Sequence, residues 1–131
     1  MTTPPPLHVL HVEDDPDIRM IAGMALSLDA QIDVRSADSG SAALTLLRGG
    51  EWRPDLLLLD MMMPEMDGTG LVEQVRQIDG LAEVPVVFLT ARAQPDDVER
   101  YRVAGSLGLI VKPFDPLTLA AKLRGLLVPA R

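Results

Sequence analysis

Short apolar runs alternate with helix-like patterns along the whole chain, and this alternation is typical of βα units that build a parallel sheet. Two of the runs, residues 56–59 and 86–89, are apolar without the polar alternation of a half-exposed strand. Such runs are expected where helices cover both faces of a sheet, so we place these strands at its centre. The five predicted strands are residues 7–12, 32–36, 56–59, 84–89 and 107–111.

Apolar residues spaced three and four apart predict helices between and after the strands. A fifth helix is predicted over residues 95–104, where only Val98 and Tyr101 share an apolar face, and we expect it to be loosely held. Asp15 before Pro16 reads as the N-cap and first residue of the first helix. The four better-supported helices have apolar sets that begin at Ile18, Ala43, Leu71 and Leu119.

The length of 131 residues fits a single domain. We predict that this domain spans residues 7–127, between a proline-rich tail at 1–6 and a short tail at 128–131. Frayed ends of this kind are common where nothing ties the terminal residues down.

Composition excludes several classes of protein. The chain has no cysteine, so a disulfide framework and a zinc site built from thiolates are both excluded. Its net charge of −7 disfavours a nucleic-acid surface, which needs clustered Lys and Arg. No apolar run approaches the roughly 20 residues of a membrane span, and the first residues lack the basic start of a signal peptide. We therefore expect a cytoplasmic protein that does not bind membranes.

Polar and charged residues follow four of the predicted strands. Ligands of parallel sheets bind at the carboxyl ends of the strands, so these residues are expected to converge there. Asp15, in the same stretch, is better explained as a helix cap. Asp60 follows four leucines, at the edge of the core, where an isolated charge is costly unless it is paired or bound to metal. The converging residues are Glu13, Asp14, Asp60, Thr90 and Lys112.

Four segments of the chain together resemble the receiver domain of two-component response regulators, of the single-domain type. They are residues 8–16 (HVLHVEDDP), 55–68 (DLLLLDMMMPEMDG), 86–91 (VVFLTA) and 111–114 (VKPF). The resemblance extends from Leu7 to about Leu127, with the motifs in the expected order. It implies an α/β fold of the flavodoxin-like (βα)5 type, a three-layer sandwich whose parallel strands lie in the order 2-1-3-4-5.

The resemblance also implies roles for the converging residues. Asp60 would be the phosphoryl acceptor, with Thr90 and Lys112 stabilising the phosphoryl oxygens. Mg²⁺ would be the cofactor, because a hard cation with oxygen ligands relieves the repulsion between an anionic nucleophile and an anionic donor. Its predicted ligands are Asp14, Asp60 and the backbone carbonyl of Met62, with Glu13 acting through water.

Other positions are departures from the family pattern or have structural roles. Leu109 stands where the family usually has Tyr or Phe, and basic Arg92 lies two residues after Thr90. The resemblance further implies a cis peptide bond before Pro113, and a glycine at 68 that permits the turn after the third strand. The histidines His8 and His11 and the methionines Met61, Met62 and Met63 are interpreted as structural.

The predicted function is that of a signalling module, which is no enzyme beyond its own phosphorylation and dephosphorylation. Its expected partners are a histidine kinase or histidine phosphotransfer protein and a protein output target, and we expect neither a DNA-binding output domain nor a nucleic-acid partner. We expect a monomer or a weak dimer through the fourth helix, fifth strand and fifth helix. Two alternatives stay open: a receiver excised from a hybrid histidine kinase, and a Mg²⁺-dependent aspartyl phosphatase. The phosphatase class generally needs an acid at position 62, where methionine stands.

Overall fold

The chain forms a five-stranded parallel sheet with the strand order β2-β1-β3-β4-β5. The computed structural model describes residues 6–91, 94–96, 99, 102 and 105–127. This topology confirms the predicted flavodoxin-like fold. In chain order the elements are β1 (Leu7–Val12), α1 (Pro16–Ser27), β2 (Ile32–Ala37), α2 (Gly40–Gly49), β3 (Leu56–Asp60), α3 (Gly68–Val75), β4 (Val86–Thr90), β5 (Gly108–Val111) and α4 (Leu119–Leu127).

Helices cover both faces of the sheet and produce two apolar cores. One core joins alternate strand residues such as Leu57 and Leu59 to α2 and α3. The other joins Leu56 and Leu58 to α1 and α4. All four of these leucines are fully buried, which explains why the third strand shows no polar alternation. The predicted placement of β3 and β4 inside the sheet is confirmed.

The bounds of two strands differ from the prediction in a way that matters for the site. Strand β3 extends to Asp60 and β4 to Thr90, because each pairs with the next strand up to that residue. Both predicted site residues are therefore the last residues of their strands. Strand β4 begins at Val86, two residues later than predicted, and Pro85 before it has no N–H to donate to a ladder.

The first helix begins as predicted. The Asp15 side chain accepts hydrogen bonds from the backbone N–H groups of Asp17 (2.9 Å) and Ile18 (3.2 Å), so it is the N-cap. In the predicted helix over 95–104, the described residues 95, 96, 99 and 102 are helical. Val98 and Tyr101, as well as Arg92, lie outside the described residues. Within the described part of the chain, no helix is long and apolar enough to cross a membrane.

Candidate functional site

The carboxyl ends of β1, β3, β4 and β5 lie at one edge of the sheet and bring the predicted site residues together. Glu13 directly follows β1, and its N–H donates to the carbonyl of Ala37 at 3.0 Å. Asp60 and Thr90 end neighbouring strands, and the N–H of Lys112 donates to the carbonyl of Thr90 at 2.8 Å. Sheet pairing therefore fixes the backbone positions of these residues.

Three carboxylates form a compact acidic cluster at this edge. Glu13, Asp14 and Asp60 each offer one carboxylate oxygen, and these oxygens lie within 4.8 Å of one another. Glu13 is fully buried and Asp60 is 3% exposed, whereas Asp14 faces solvent. A set of oxygen donors that is partly buried and partly open fits a hard divalent cation that keeps some of its waters. The donor set therefore fits Mg²⁺.

Lys112 neutralises part of this cluster. Its Nζ lies 2.9 Å from Glu13 Oε1 and 3.2 Å from Asp60 Oδ1. Burial alone would lower the pKa of Lys112, but its contacts with these two carboxylates outweigh burial and raise that pKa. Burial, followed by the nearby Asp60 carboxylate, raises the pKa of Glu13 to about 7. The cluster is thus crowded with negative charge that one ammonium only partly offsets.

Two further predicted residues lie beside the acceptor. Thr90 is buried at the end of the neighbouring strand β4. Met62 has an exposed side chain, and its backbone N–H donates to Asp60 Oδ1 at 3.2 Å, so the chain turns closely around the acceptor carboxylate. The metal-binding role of the Met62 carbonyl and the phosphoryl-binding role of the Thr90 hydroxyl stay predictions.

Gly68 is needed for a different reason from the one the sequence suggested. It is the first residue of α3 and does not adopt a left-handed conformation. A Cβ at this position would lie 2.9 Å from Phe88 Cε1 and 3.1 Å from the carbonyl oxygen of Asp60. The glycine therefore allows the helix to approach the acceptor strand closely. The peptide bond between Lys112 and Pro113 is cis, as predicted.

Sequence reasoning missed Arg19. Its Nη1 donates to the carbonyl oxygen of Glu13 at 2.9 Å and lies 3.5 Å from that of Asp14. One signal was available in the sequence: a basic residue in the first turn of a helix is unfavourable next to the positive end of the helix dipole. Such a residue is expected to have a compensating partner, but the sequence does not say which one.

The two histidines occupy different environments, and neither belongs to the acidic cluster. His8 lies between the carboxylates of Asp33 and Asp55, at 3.4 and 3.5 Å, with its ring edge against Trp52. His11 is fully buried, and neither of its ring nitrogens has a hydrogen-bond partner among the described residues. Burial, followed by the charge of Lys112, lowers the pKa of His11 to about 4.

The chain matches known proteins over most of its length. The model of the response regulator receiver domain family matches residues 9–124. The chain is 39% identical over 120 residues to the transcriptional regulatory protein CseB of Streptomyces avermitilis, covering 92% of the chain and 48% of that protein. It is 37% identical to the sensor histidine kinase TmoS of Ectopseudomonas mendocina, covering 91% of the chain and 12% of that protein. The chemotaxis response regulator CheY4 of Vibrio cholerae superposes with a TM-score of 0.81 at 31% identity, covering 92% of this chain and 98% of that one.

These relatives differ in size. The chain spans about half the length of CseB and a small part of TmoS, while CheY4 is matched almost completely. The part of this chain that the family model matches contains Glu13, Asp14, Asp60 and Lys112. The chain therefore belongs to the family of response regulator receiver domains, the signalling modules of two-component systems.

Proposed function

We propose that Asp60 accepts a phosphoryl group from a histidine kinase or a histidine phosphotransfer protein, in a reaction that needs Mg²⁺. The observation that supports this proposal best is the environment of the Asp60 carboxylate. It is almost fully buried, it contacts Lys112 Nζ at 3.2 Å, and it lies in a cluster with two further carboxylates. Both the charge and the position fit a nucleophile that must receive an anionic group.

The proposed reaction is the transfer of a phosphoryl group from a histidine nitrogen to a carboxylate oxygen. An oxygen of Asp60 attacks the phosphorus of a phosphohistidine, a P–O bond forms, and the P–N bond breaks. The electron pair of that bond stays on the histidine nitrogen, which can then take up a proton. Mg²⁺, held by Asp14, Asp60 and the Met62 carbonyl, would supply charge stabilisation to the transferred group. Lys112, whose Nζ lies 3.2 Å from Asp60 Oδ1, would neutralise one oxygen of the transferred phosphoryl group.

A groove beside Lys112 gives the phosphoryl donor a surface to contact. It has a volume of about 380 Å³ and is almost entirely apolar. A protein that brings a histidine to Asp60 must cover the rim of the site, and burial of apolar side chains there would stabilise the complex. Its lining includes Ile18 and Ile21 of α1 and Phe114 and Pro116 after β5.

Phosphorylation would change the balance of charge in the site. The added phosphoryl group carries about −1.5 to −2 charge, which would draw Lys112 from Glu13 towards the new oxygens. Lys112 directly follows β5, so its movement would reach the groove beside Leu109 and Val111, next to α4. We propose that this surface contacts the output target or a second copy, through protein contacts. CseB, which is about twice as long as this chain, is a transcriptional regulatory protein, so the expected lack of a DNA-binding output stays a prediction.

Intact mass after incubation with acetyl phosphate tests the acceptor. Wild type and Asp38→Asn should each gain the mass of one phosphoryl group in the presence of Mg²⁺, while Asp60→Asn should gain none. Asp38 is a suitable control because it is an exposed aspartate just after β2, at the same edge of the sheet but outside the acidic cluster. Equal labelling of Asp60→Asn and wild type would place the acceptor elsewhere and refute the proposal.

A further inference from the structure

We propose that Arg19 is a positioning residue, which holds the backbone of Glu13 and Asp14 and so sets the affinity of the acidic cluster for a divalent cation. This inference rests on the proposed function, because it assumes that the cluster binds Mg²⁺. It assigns to Arg19 a role that does not require contact with the cation or with a phosphoryl group.

The contacts of the turn after β1 support this role. Arg19 Nη1 donates to the Glu13 carbonyl at 2.9 Å and lies 3.5 Å from the Asp14 carbonyl. Within the described part of the chain, no backbone N–H donates to either carbonyl. The Glu13 N–H is already used in the contact with Ala37. Among the described residues, Arg19 is thus the donor that fixes the positions of these two carbonyls. The position of each carbonyl in turn limits the direction in which the carboxylate of the same residue leaves the backbone.

Removal of this tie has a physical cost. A partly buried carbonyl left without a partner is unfavourable, so the turn would rearrange to let the carbonyls of Glu13 and Asp14 reach water. Rearrangement would disperse the carboxylate oxygens of Glu13 and Asp14, which now lie within 4.8 Å of one another and of an Asp60 oxygen. Groups that orient metal ligands typically change affinity by about 10–100-fold when they are removed.

The charge of Arg19 has the opposite effect on a cation, and this makes the inference testable. A guanidinium bound to the same turn repels a divalent cation, so loss of its charge alone would tighten Mg²⁺ binding. If the hydrogen bonds dominate, removal of Arg19 weakens binding despite the lost repulsion. The two effects predict changes of opposite sign.

The experiment compares Mg²⁺ affinity by calorimetry in wild type, Arg19→Met and Arg19→Lys. Methionine fills similar space without a donor group, so we expect about tenfold weaker binding for Arg19→Met, as at other residues that orient metal ligands. Arg19→Lys keeps the charge and one donor group, so it should recover most of the affinity. In the metal-free protein, amide hydrogen exchange at residues 13–15 should be faster in Arg19→Met, while exchange within β3 should be unchanged.

Tighter or unchanged Mg²⁺ binding by a folded Arg19→Met would overturn the inference, as would weaker binding by Arg19→Lys than by Arg19→Met. If Arg19→Met does not fold, Arg19→Leu, which also has no donor, takes its place under the same criteria. Asp14→Ala serves as a separate control. If wild type shows no Mg²⁺ binding, or Asp14→Ala binds as wild type does, the proposed metal site itself is wrong.

Discussion

The substitution Gly68→Ala is expected to disturb the acceptor strand β3, because it adds a methyl group where helix α3 approaches that strand closely. The new Cβ would lie 2.9 Å from Phe88 Cε1, 3.1 Å from the Asp60 carbonyl oxygen and 3.2 Å from Met61 Cα. Phe88 is fully buried in the core, and the other two atoms belong to the backbone. None of them is the free end of a flexible side chain, so relief requires α3 to move away from β3.

The size of the effect follows from two opposing contributions. Overpacking a close-packed core costs about 1–3 kcal/mol. Replacement of glycine by alanine in a helix gains up to about 1 kcal/mol, and less at the first residue of the helix. The overpacking cost is larger, so the free energy of unfolding should fall by about 1–2 kcal/mol. For a chain of this size, each kcal/mol corresponds to roughly 3–5 °C in Tm.

Urea unfolding of metal-free protein checks this expectation, with Gly125→Ala as the matched control. Gly125 also lies in a helix, α4, but among the described residues no atom outside the backbone of that helix and the two chain neighbours lies within 4 Å of a Cβ built there. This control should gain up to about 1 kcal/mol from helix propensity alone. If Gly68→Ala is as stable as wild type while Gly125→Ala shows its gain, the close approach of α3 to the Asp60 backbone is not a packing constraint, and our reasoning about Gly68 is wrong.

Two further substitutions test the charge on Lys112 in the acidic cluster and the charge on the buried His11. Lys112→Met removes the ammonium that contacts Glu13 and Asp60, so repulsion between these carboxylates should make the metal-free protein less stable. The same loss of positive charge should make Mg²⁺ bind more tightly. Weaker Mg²⁺ binding in calorimetry would contradict this expectation. The pKa of His11 is lowered from 6.5 to about 4, so folding favours its neutral form, and stability is lost as pH falls from 6.5 towards 4. The free energy of unfolding of His11→Leu should therefore rise by up to about 3 kcal/mol relative to that of wild type as the pH falls across this window. A difference between the two proteins that does not vary with pH would refute this expectation.

Most of the fold could be predicted because the faces of a strand or helix that are buried determine which of its residues are apolar. The uninterrupted apolar run at 56–59 identified a strand covered on both faces, and its leucines do alternate between two cores. The exact strand ends were harder to predict. Asp60 and Thr90 are polar, so hydropathy placed them after their strands, whereas pairing with neighbouring strands keeps both of them within the sheet.

Those site residues could be predicted whose spatial position follows from their place at the end of a strand. Residues at the carboxyl ends of neighbouring parallel strands must lie close together, and Glu13, Asp60 and Lys112 do. The role of Arg19 was not predictable, because its partners are backbone carbonyls, and these are present at every residue. The reason for Gly68 was missed for a similar cause: its crowding comes from Phe88, twenty residues away in sequence and in contact only after folding.

Two cations of the described part of the chain, Lys112 and Arg19, contact the residues of the acidic cluster in different ways, and this difference gives them separate roles. Lys112 contacts carboxylate oxygens, which are the atoms that a metal ion would also need, so it competes with the metal for Glu13 and Asp60. Among the described residues, Arg19 donates to the carbonyl oxygens of Glu13 and Asp14 and not to their carboxylates, so it can hold the turn whether or not a metal is bound. A side-chain cation bound to the carboxylates of Glu13 and Asp14 would have to leave them whenever a metal ion binds to the same oxygens. Because Arg19 uses the backbone instead, the turn can stay fixed while Lys112 moves from the carboxylates towards the phosphoryl group that we propose for Asp60.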